Sequence, residues 1–240
     1  MNISGKAVLV TGANRGIGRA LVEEALKRDA SRVYAATRQP FNHSDARVTS
    51  LILDVTDARQ IQACVENVES LDILINNAGV ALYDDLSDRA KLDQHLAVNL
   101  FGMLEVTHAF VPVLTRSRGA VVNVLSVTAF AALPLIPAYS ISKAAAFNLT
   151  QSLRALLAGR GVTVHAVLTG PVDTDMTRGL DIPKSSSEAV AQGIFEGVEN
   201  GEEEIFPDPM AKSMAESWRT SAAKALEREN AALAAATVTS

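Results

Sequence analysis

The feature that most constrains this chain is a repeated alternation of element types. Short, nearly continuous apolar runs at 7–12, 32–38, 48–54, 72–79, 120–126 and 162–170 are separated by longer stretches with helical character, and a further strand candidate lies at 203–208. A strand wetted on one side alternates apolar and polar residues. Unbroken runs such as 7-AVLV-10 and 120-AVV-122 instead predict strands buried on both faces of a parallel sheet. Helices are predicted between them at 17–29, 57–69, 92–116, 137–158 and 186–199. Strands alternating with helices predict an α/β fold: one domain over residues 1–240, built as a doubly wound parallel sheet of about seven strands. From about residue 210 the tail is expected to be helical, with its Ala-rich stretch 222–237 fraying. One crossover breaks the pattern. Only nine residues, Pro40 among them, separate Arg38 from Val48, so the helix there is expected to be short or missing.

Composition removes several function classes. The net charge is −5 and no run of basic residues stands out, which argues against a nucleic-acid binder. The single cysteine, Cys64, excludes an intrachain disulfide and a Cys-rich zinc site, and is expected to be a small core residue. His43, His95, His108 and His165 have no partner at ligand spacing, so no metal is expected. The acidic stretch 199–208 reads as a solvated turn and an edge strand rather than a calcium loop. The run 7-AVLV-10 is too short for a signal peptide, and the apolar region 120–139 is broken by Asn123, Ser126, Thr128, Pro134 and Pro137. The expectation is a cytoplasmic protein that does not cross a membrane.

Two short motifs carry chemistry. The first strand candidate runs into 11-TGANRGIG-18 and then into a helix. A glycine-rich turn at that junction brings backbone N–H groups close to a phosphate at the positive end of the helix. In 139-YSISK-143, Tyr139 and Lys143 stand four residues apart on one face of a predicted helix. They form either a surface pair or a proton donor beside the charge that tunes it, because a phenol with a pKa near 10 needs a neighbouring cation to exchange protons near neutrality.

The set 11-TGANRGIG-18, 76-NNAG-79, Asn99, Ser126 and 139-YSISK-143 resembles the short-chain dehydrogenase/reductase family, with Ser126 at the usual interval of 13 residues before Tyr139. The resemblance covers residues 5 to about 208 and implies a Rossmann-type sheet. It also implies roles. Tyr139 is the acid that protonates a substrate carbonyl, and Ser126 hydrogen-bonds the carbonyl oxygen. Lys143 binds the nicotinamide ribose and lowers the Tyr139 pKa, and Asn99 holds a water that passes protons to Lys143. Gly12, Asn14, Arg15, Gly16, Ile17 and Gly18 cradle the dinucleotide, Asp54 and Val55 meet its adenine, and Asn77, Ala78 and Gly79 close the sheet against it. Gly170, Val172 and Thr174 hold the nicotinamide amide, although Thr169 stands where the family has proline. Asp54 could alternatively cap the following helix, a place that Asp57 suits better.

An acid after the second strand would bind the adenine ribose hydroxyls and favour NAD, but this chain has Thr37 and Arg38 there and Arg15 in the glycine loop. Arginine forks onto phosphate oxygens, so the expected cofactor is NADPH, bound through its 2′-phosphate. The largely apolar stretches 127–138 and 176–183 are expected to line the substrate site, with Thr128, Phe130, Leu135 and Met176 as candidate walls for a hydrophobic ketone or aldehyde. The helices at 92–116 and 137–158 match those through which family members form dimers and tetramers, so a homo-oligomer is expected.

Overall fold

The computed structural model describes residues 1–238, with side chains through residue 232. Seven parallel strands form one sheet in the order β3-β2-β1-β4-β5-β6-β7. They are β1 (Ala7–Thr11), β2 (Arg32–Thr37), β3 (Val48–Ile52), β4 (Ile73–Asn76), β5 (Ala120–Val124), β6 (Thr163–Val167) and β7 (Glu204–Ile205). The helices are α1 (Gly16–Lys27), α2 (Ala58–Glu66), α3 (Arg89–Leu96), α4 (Met103–Ser117), α5 (Pro137–Ala158), α6 (Ser187–Glu199), α7 (Pro209–Arg219) and α8 (Ala222–Val238). The strand order turns back between β1 and β4, and at that point an open α/β sheet presents a ligand crevice beyond its carboxyl edge. Side chains of β1, β4 and β5 are buried throughout, as their unbroken apolar runs require.

One layer of core lies between the sheet and α1 and α6, where Leu21, Val22, Val190, Ile194 and Phe195 are fully buried. The other lies under α2 and α4, with Phe110, Leu114, Leu74 and Leu9 at its centre. The continuous helical stretch 89–117 is long and apolar enough, by length and composition, to cross a membrane. Val106, Phe110 and Leu114 nevertheless bury its apolar face in this core, which accounts for its composition.

The structure differs from the sequence expectation in several places. β3 is an edge strand and only half buried: Ser50 and Ile52 are exposed, so its apolar run did not signal burial on both faces. No helix joins β2 to β3. The connection passes over the end of α1, where the Arg47 guanidinium donates to the Leu26 and Ala30 carbonyls at 3.3 Å and satisfies groups that the helix leaves free. The acidic stretch near β7 is not all solvated, and the tail does not fray at its start. Lys224 is buried to 1 % exposure, with its Nζ 2.8 Å from Glu203, 2.9 Å from Glu204 and 3.0 Å from Glu227. Arg154 of α5 joins the same carboxylates of Glu204 and Glu227. Buried charges persist only when paired, and this cluster ties α8 to α5 and β7.

Candidate active site

The glycine loop is built by close approach. Gly12 takes a left-handed φ of 67°, and a Cβ there would lie 3.0 Å from the Ala78 Cα. A Cβ on Gly18 would strike the Gly12 carbonyl and come within 2.6 Å of the Asn77 amide nitrogen. Only glycine lets α1 start this near the end of β4. Gly18→Ala is therefore expected to cost about 3 kcal/mol in a denaturant melt, because backbone that cannot yield is overpacked. An unchanged midpoint would contradict this packing. The residue before α1, Arg15, is extended and supplies no side-chain cap, so the first N–H groups of α1 face outward without a side-chain acceptor. This cradle fits a pyrophosphate.

The 76-NNAG-79 segment holds the loop from below. Thr11 Oγ1 accepts the Asn77 and Ala78 N–H groups at 3.0 Å, and Asn77 Nδ2 donates to the Thr11 and Gly12 carbonyls. Asn76 bridges Thr107 and Asn123 at 2.9 Å, and Asn123 donates to Thr150 on α5. Buried polar groups are thus joined from β4 across β5 to the helix that carries Tyr139.

Tyr139 and Lys143 lie one turn apart on α5, both buried. The Lys143 ammonium donates to the Val124 carbonyl at 2.9 Å and sits 5.7 Å from the Tyr139 ring centroid. Ammonium carries three donors, and among the described residues Val124 is the one acceptor they reach, so two remain free to donate. A Cβ on Gly79 would approach Lys143 Nζ at 3.7 Å and Asn99 Oδ1 at 3.2 Å, which explains a glycine at that wall. Burial pushes the Tyr139 phenol up to about 12, partly offset by a hydrogen bond from Ser126. Burial pushes Lys143 down to about 8. Desolvation dominates the phenol's pKa in this structure, and the hydrogen bond from Ser126 opposes it. At neutral pH Tyr139 holds its proton, the state a proton donor needs.

Asn99 lies in a π-helical turn, Ala97–Gly102, between α3 and α4. Such turns recur at functional sites because they redirect a side chain. Asn99 Oδ1 accepts the Val80 N–H, while Nδ2 donates to the Val80 carbonyl and to Ser142 Oγ, all at 2.9 Å. Both amide protons are committed, so Asn99 first serves to pin the strand-four loop to α5, and the side chain keeps one free oxygen lone pair.

Ser126 Oγ accepts the N–H of Thr128 at 3.2 Å and its hydroxyl at 3.0 Å, so Thr128 supports Ser126. Phe130, expected as a substrate wall, is half-buried; its ring stacks on Trp218 at 4.7 Å and meets Phe147 edge-on at 5.3 Å. Leu135 and Met176 are exposed. Asp57 caps α2, as its spacing suggested. Asp54 is held by Thr56, and that hydrogen bond, with the Arg38 charge behind it, lowers its pKa. Val55 is buried beneath Gly102. Arg38 is exposed at the end of β2. Arg15 instead pairs with Asp175 at 2.9 Å, an exposed contact of little strength that a phosphate can displace. Thr174 packs on Gly16, 3.0 Å from where its Cβ would be. Thr169, in the family's proline position, donates to the Leu125 carbonyl at 3.1 Å and stitches the ends of β5 and β6. Val172 is buried and bridges Ser185.

The residues missed from sequence act through the backbone. Asp208 caps α7 and also accepts the Gly170 N–H at 2.7 Å, holding the loop after β6. His95 is buried: Nδ1 donates to the Lys91 carbonyl at 2.6 Å, and Nε2 accepts the Leu82 N–H at 3.0 Å. A carbonyl only accepts and an amide N–H only donates, so this geometry needs the neutral ring. The Asp208-Pro209 pair after β7 is a readable cap signal; His95 gave none.

A family model described as short chain dehydrogenase matches residues 6–184. The 3-oxoacyl-(acyl-carrier-protein) reductase FabG of Salmonella typhimurium is 35 % identical over 193 residues, covering 75 % of this chain and 79 % of that protein. The 11-beta-hydroxysteroid dehydrogenase-like 3 of Arabidopsis thaliana is 30 % identical over 225 residues, covering 84 % and 72 %. A crystal structure of a short chain dehydrogenase from Burkholderia cenocepacia J2315 in complex with NADP superposes with a TM-score of 0.87 at 35 % identity, covering 95 % of this chain and 98 % of that one.

Proposed function

The chain belongs to the short-chain dehydrogenase family, and from that premise we propose that it is an NADPH-dependent carbonyl reductase acting on a hydrophobic ketone or aldehyde. The observation that carries the reading is the buried Tyr139–Lys143 pair, with Ser126 on the phenol and an uncapped helix N-terminus at the glycine loop. The cofactor supplies hydride to the carbonyl carbon when bound. Ser126 donates a hydrogen bond to the carbonyl oxygen and aligns it with Tyr139. Tyr139 delivers its proton to that oxygen as negative charge builds there, which a phenol pushed up to about 12 does readily because an alkoxide is far more basic. Lys143 holds the ribose with its two spare donors and stabilises the phenolate left behind.

Arg38, with Arg15 released from Asp175, is assigned to the 2′-phosphate. The NADP-bound Burkholderia cenocepacia relative supports this choice, and the chain's lack of an acid after β2 argues the same way. The enzyme is read as a cytoplasmic homo-oligomer, with Phe101 and Leu156, exposed on the long helices, in the contact; sedimentation as a monomer at micromolar concentration would reject that.

The test is cofactor oxidation by purified protein against a panel of hydrophobic ketones and aldehydes. Turnover that is faster with NADPH is expected; tight NADPH binding without turnover on any of the panel would favour a nucleotide-sensing protein. A pH series adds a second check. Lys143 loses its proton above about 8 in the free protein, because burial disfavours its charge. The kcat/KM for NADPH is therefore expected to be level below that pH and to fall about tenfold per unit above it. A profile still level at pH 9.5 to 10 (roughly a unit and a half beyond the inflection) would contradict the role given to this charge.

A further inference from the structure

The wall of the site after β4 is tied down by unusually specific contacts. Val80 is held by Asn99, Leu82 by His95, and the Tyr83 carbonyl accepts from Lys91 Nζ at 2.9 Å. The next residue crosses directly to the catalytic helix. The half-buried Asp84 carboxylate accepts the Ala138 N–H with its two oxygens at 3.2 and 3.3 Å, and accepts the Leu86 N–H at 3.2 Å. α5 needs this external partner. Its preceding residue, Ile136, gives no side-chain cap, and Pro137 has no N–H, so Ala138 offers the first free donor of the helix. Tyr139 is the very next residue.

We infer that Asp84 is a positioning residue for Tyr139: by capping α5 at Ala138 it locks the site wall to the catalytic helix and places a negative charge at the end of the helix nearest the phenol. This rests on the reductase reading for its catalytic meaning, though not for the contact itself. The groups around Tyr139 come from four sides. Lys143 lies on α5 itself, and the His95 ring is edge-on at 6.3 Å from α3. Ser126 follows β5, and the Asp84 carboxylate meets the main chain one residue before Tyr139. Of these, Lys143 is the cation, Asp84 the anion, and His95 is bound as a neutral ring. A carboxylate at a helix N-terminus offsets the positive end of the helix dipole and keeps the proton on a phenol there; Lys143 favours its release.

The experiment compares Asp84→Asn, which keeps an oxygen acceptor without the charge, with Asp84→Ala, which removes both. Hydrogen exchange of the peptides spanning 80–86 and 136–140 reads the tie without any substrate. Protection is expected to persist in the Asn variant and to drop at least tenfold in the Ala variant. In steady state, Asp84→Ala is expected to lose about tenfold in kcat with NADPH affinity unchanged, and Asp84→Asn to recover most of that loss. Run in the alcohol-oxidising direction, Asp84→Asn is expected to shift the rise of kcat with pH lower by about half a unit, since phenolate is no longer opposed. Wild-type exchange in Asp84→Ala would overturn the tie. Altered exchange with wild-type kcat and pH profile would overturn the positioning role and leave a loop staple. A protein with no turnover on any substrate would count against the reductase reading, and the exchange result would still decide the contact.

Discussion

Tyr139→Phe is expected to lower kcat for carbonyl reduction by about 1,000-fold, the loss typical of a removed general acid. The change deletes one hydroxyl and keeps the ring, which is buried against His95 and beside Lys143. Stability should therefore move by no more than about 1 kcal/mol, the net worth of the hydrogen bond from Ser126. NADPH affinity, measured by cofactor fluorescence, should change less than about threefold, because the phosphate cradle and Lys143 donors are untouched. A variant that kept more than a tenth of the wild-type kcat would show that the proton comes from elsewhere. A variant that lost cofactor binding as well would mean that the phenol is chiefly structural.

Arg38→Asp is expected to reverse cofactor choice. The guanidinium follows β2, and its charge reaches Asp54 at the end of β3, so it stands where the adenosine end of a dinucleotide would lie. Losing a charge-assisted pair to phosphate and adding repulsion should lower the ratio of kcat/KM for NADPH to that for NADH by about 100-fold or more. Parallel initial-rate measurements with both cofactors check it. A ratio within threefold of wild type would mean that Arg38 is a solvated surface charge and that the assignment to NADPH rests on too little. Arg15→Ala should give a smaller change in the same direction, since Arg15 must first leave Asp175.

What could be read before the structure follows from what leaves a periodic or spaced trace. Parallel strands buried on both faces must be runs of Val, Ile, Leu and Ala, so the stretches that became β1, β4 and β5 were plain. β3 resembled them but sits at an edge, and edge position depends on which strands pair across the sheet, which no single segment encodes. The glycine loop and the Tyr139–Lys143 pair were legible because their chemistry acts over one turn of chain. The groups that position them were not. Asp84 meets Ala138 across 54 positions, Asp208 meets Gly170 across 38, and His95 meets the Leu82 backbone. Each bonds to main chain, which any sequence presents, so neither end carries a residue-specific signal. Lys224 was lost in an Ala-rich tail for a related reason: its partners Glu203 and Glu204 looked solvated until the fold brought Arg154 and Glu227 beside them. The stacking of Phe130 on Trp218 of α7 joins residues 88 positions apart, so no local pattern announced it.

Hydride is expected to reach a carbonyl carbon in the crevice bounded by Ser126, Tyr139 and Lys143. The most direct measurement uses NADPH deuterated at the transferring carbon, a ketone that the panel shows to be turned over, and mass spectrometry of the alcohol. One deuterium is expected on the carbinol carbon for each NADPH consumed, and none with Tyr139→Phe over the same interval. Cofactor consumed without labelled alcohol, or labelled alcohol formed at the wild-type rate by Tyr139→Phe, would contradict it.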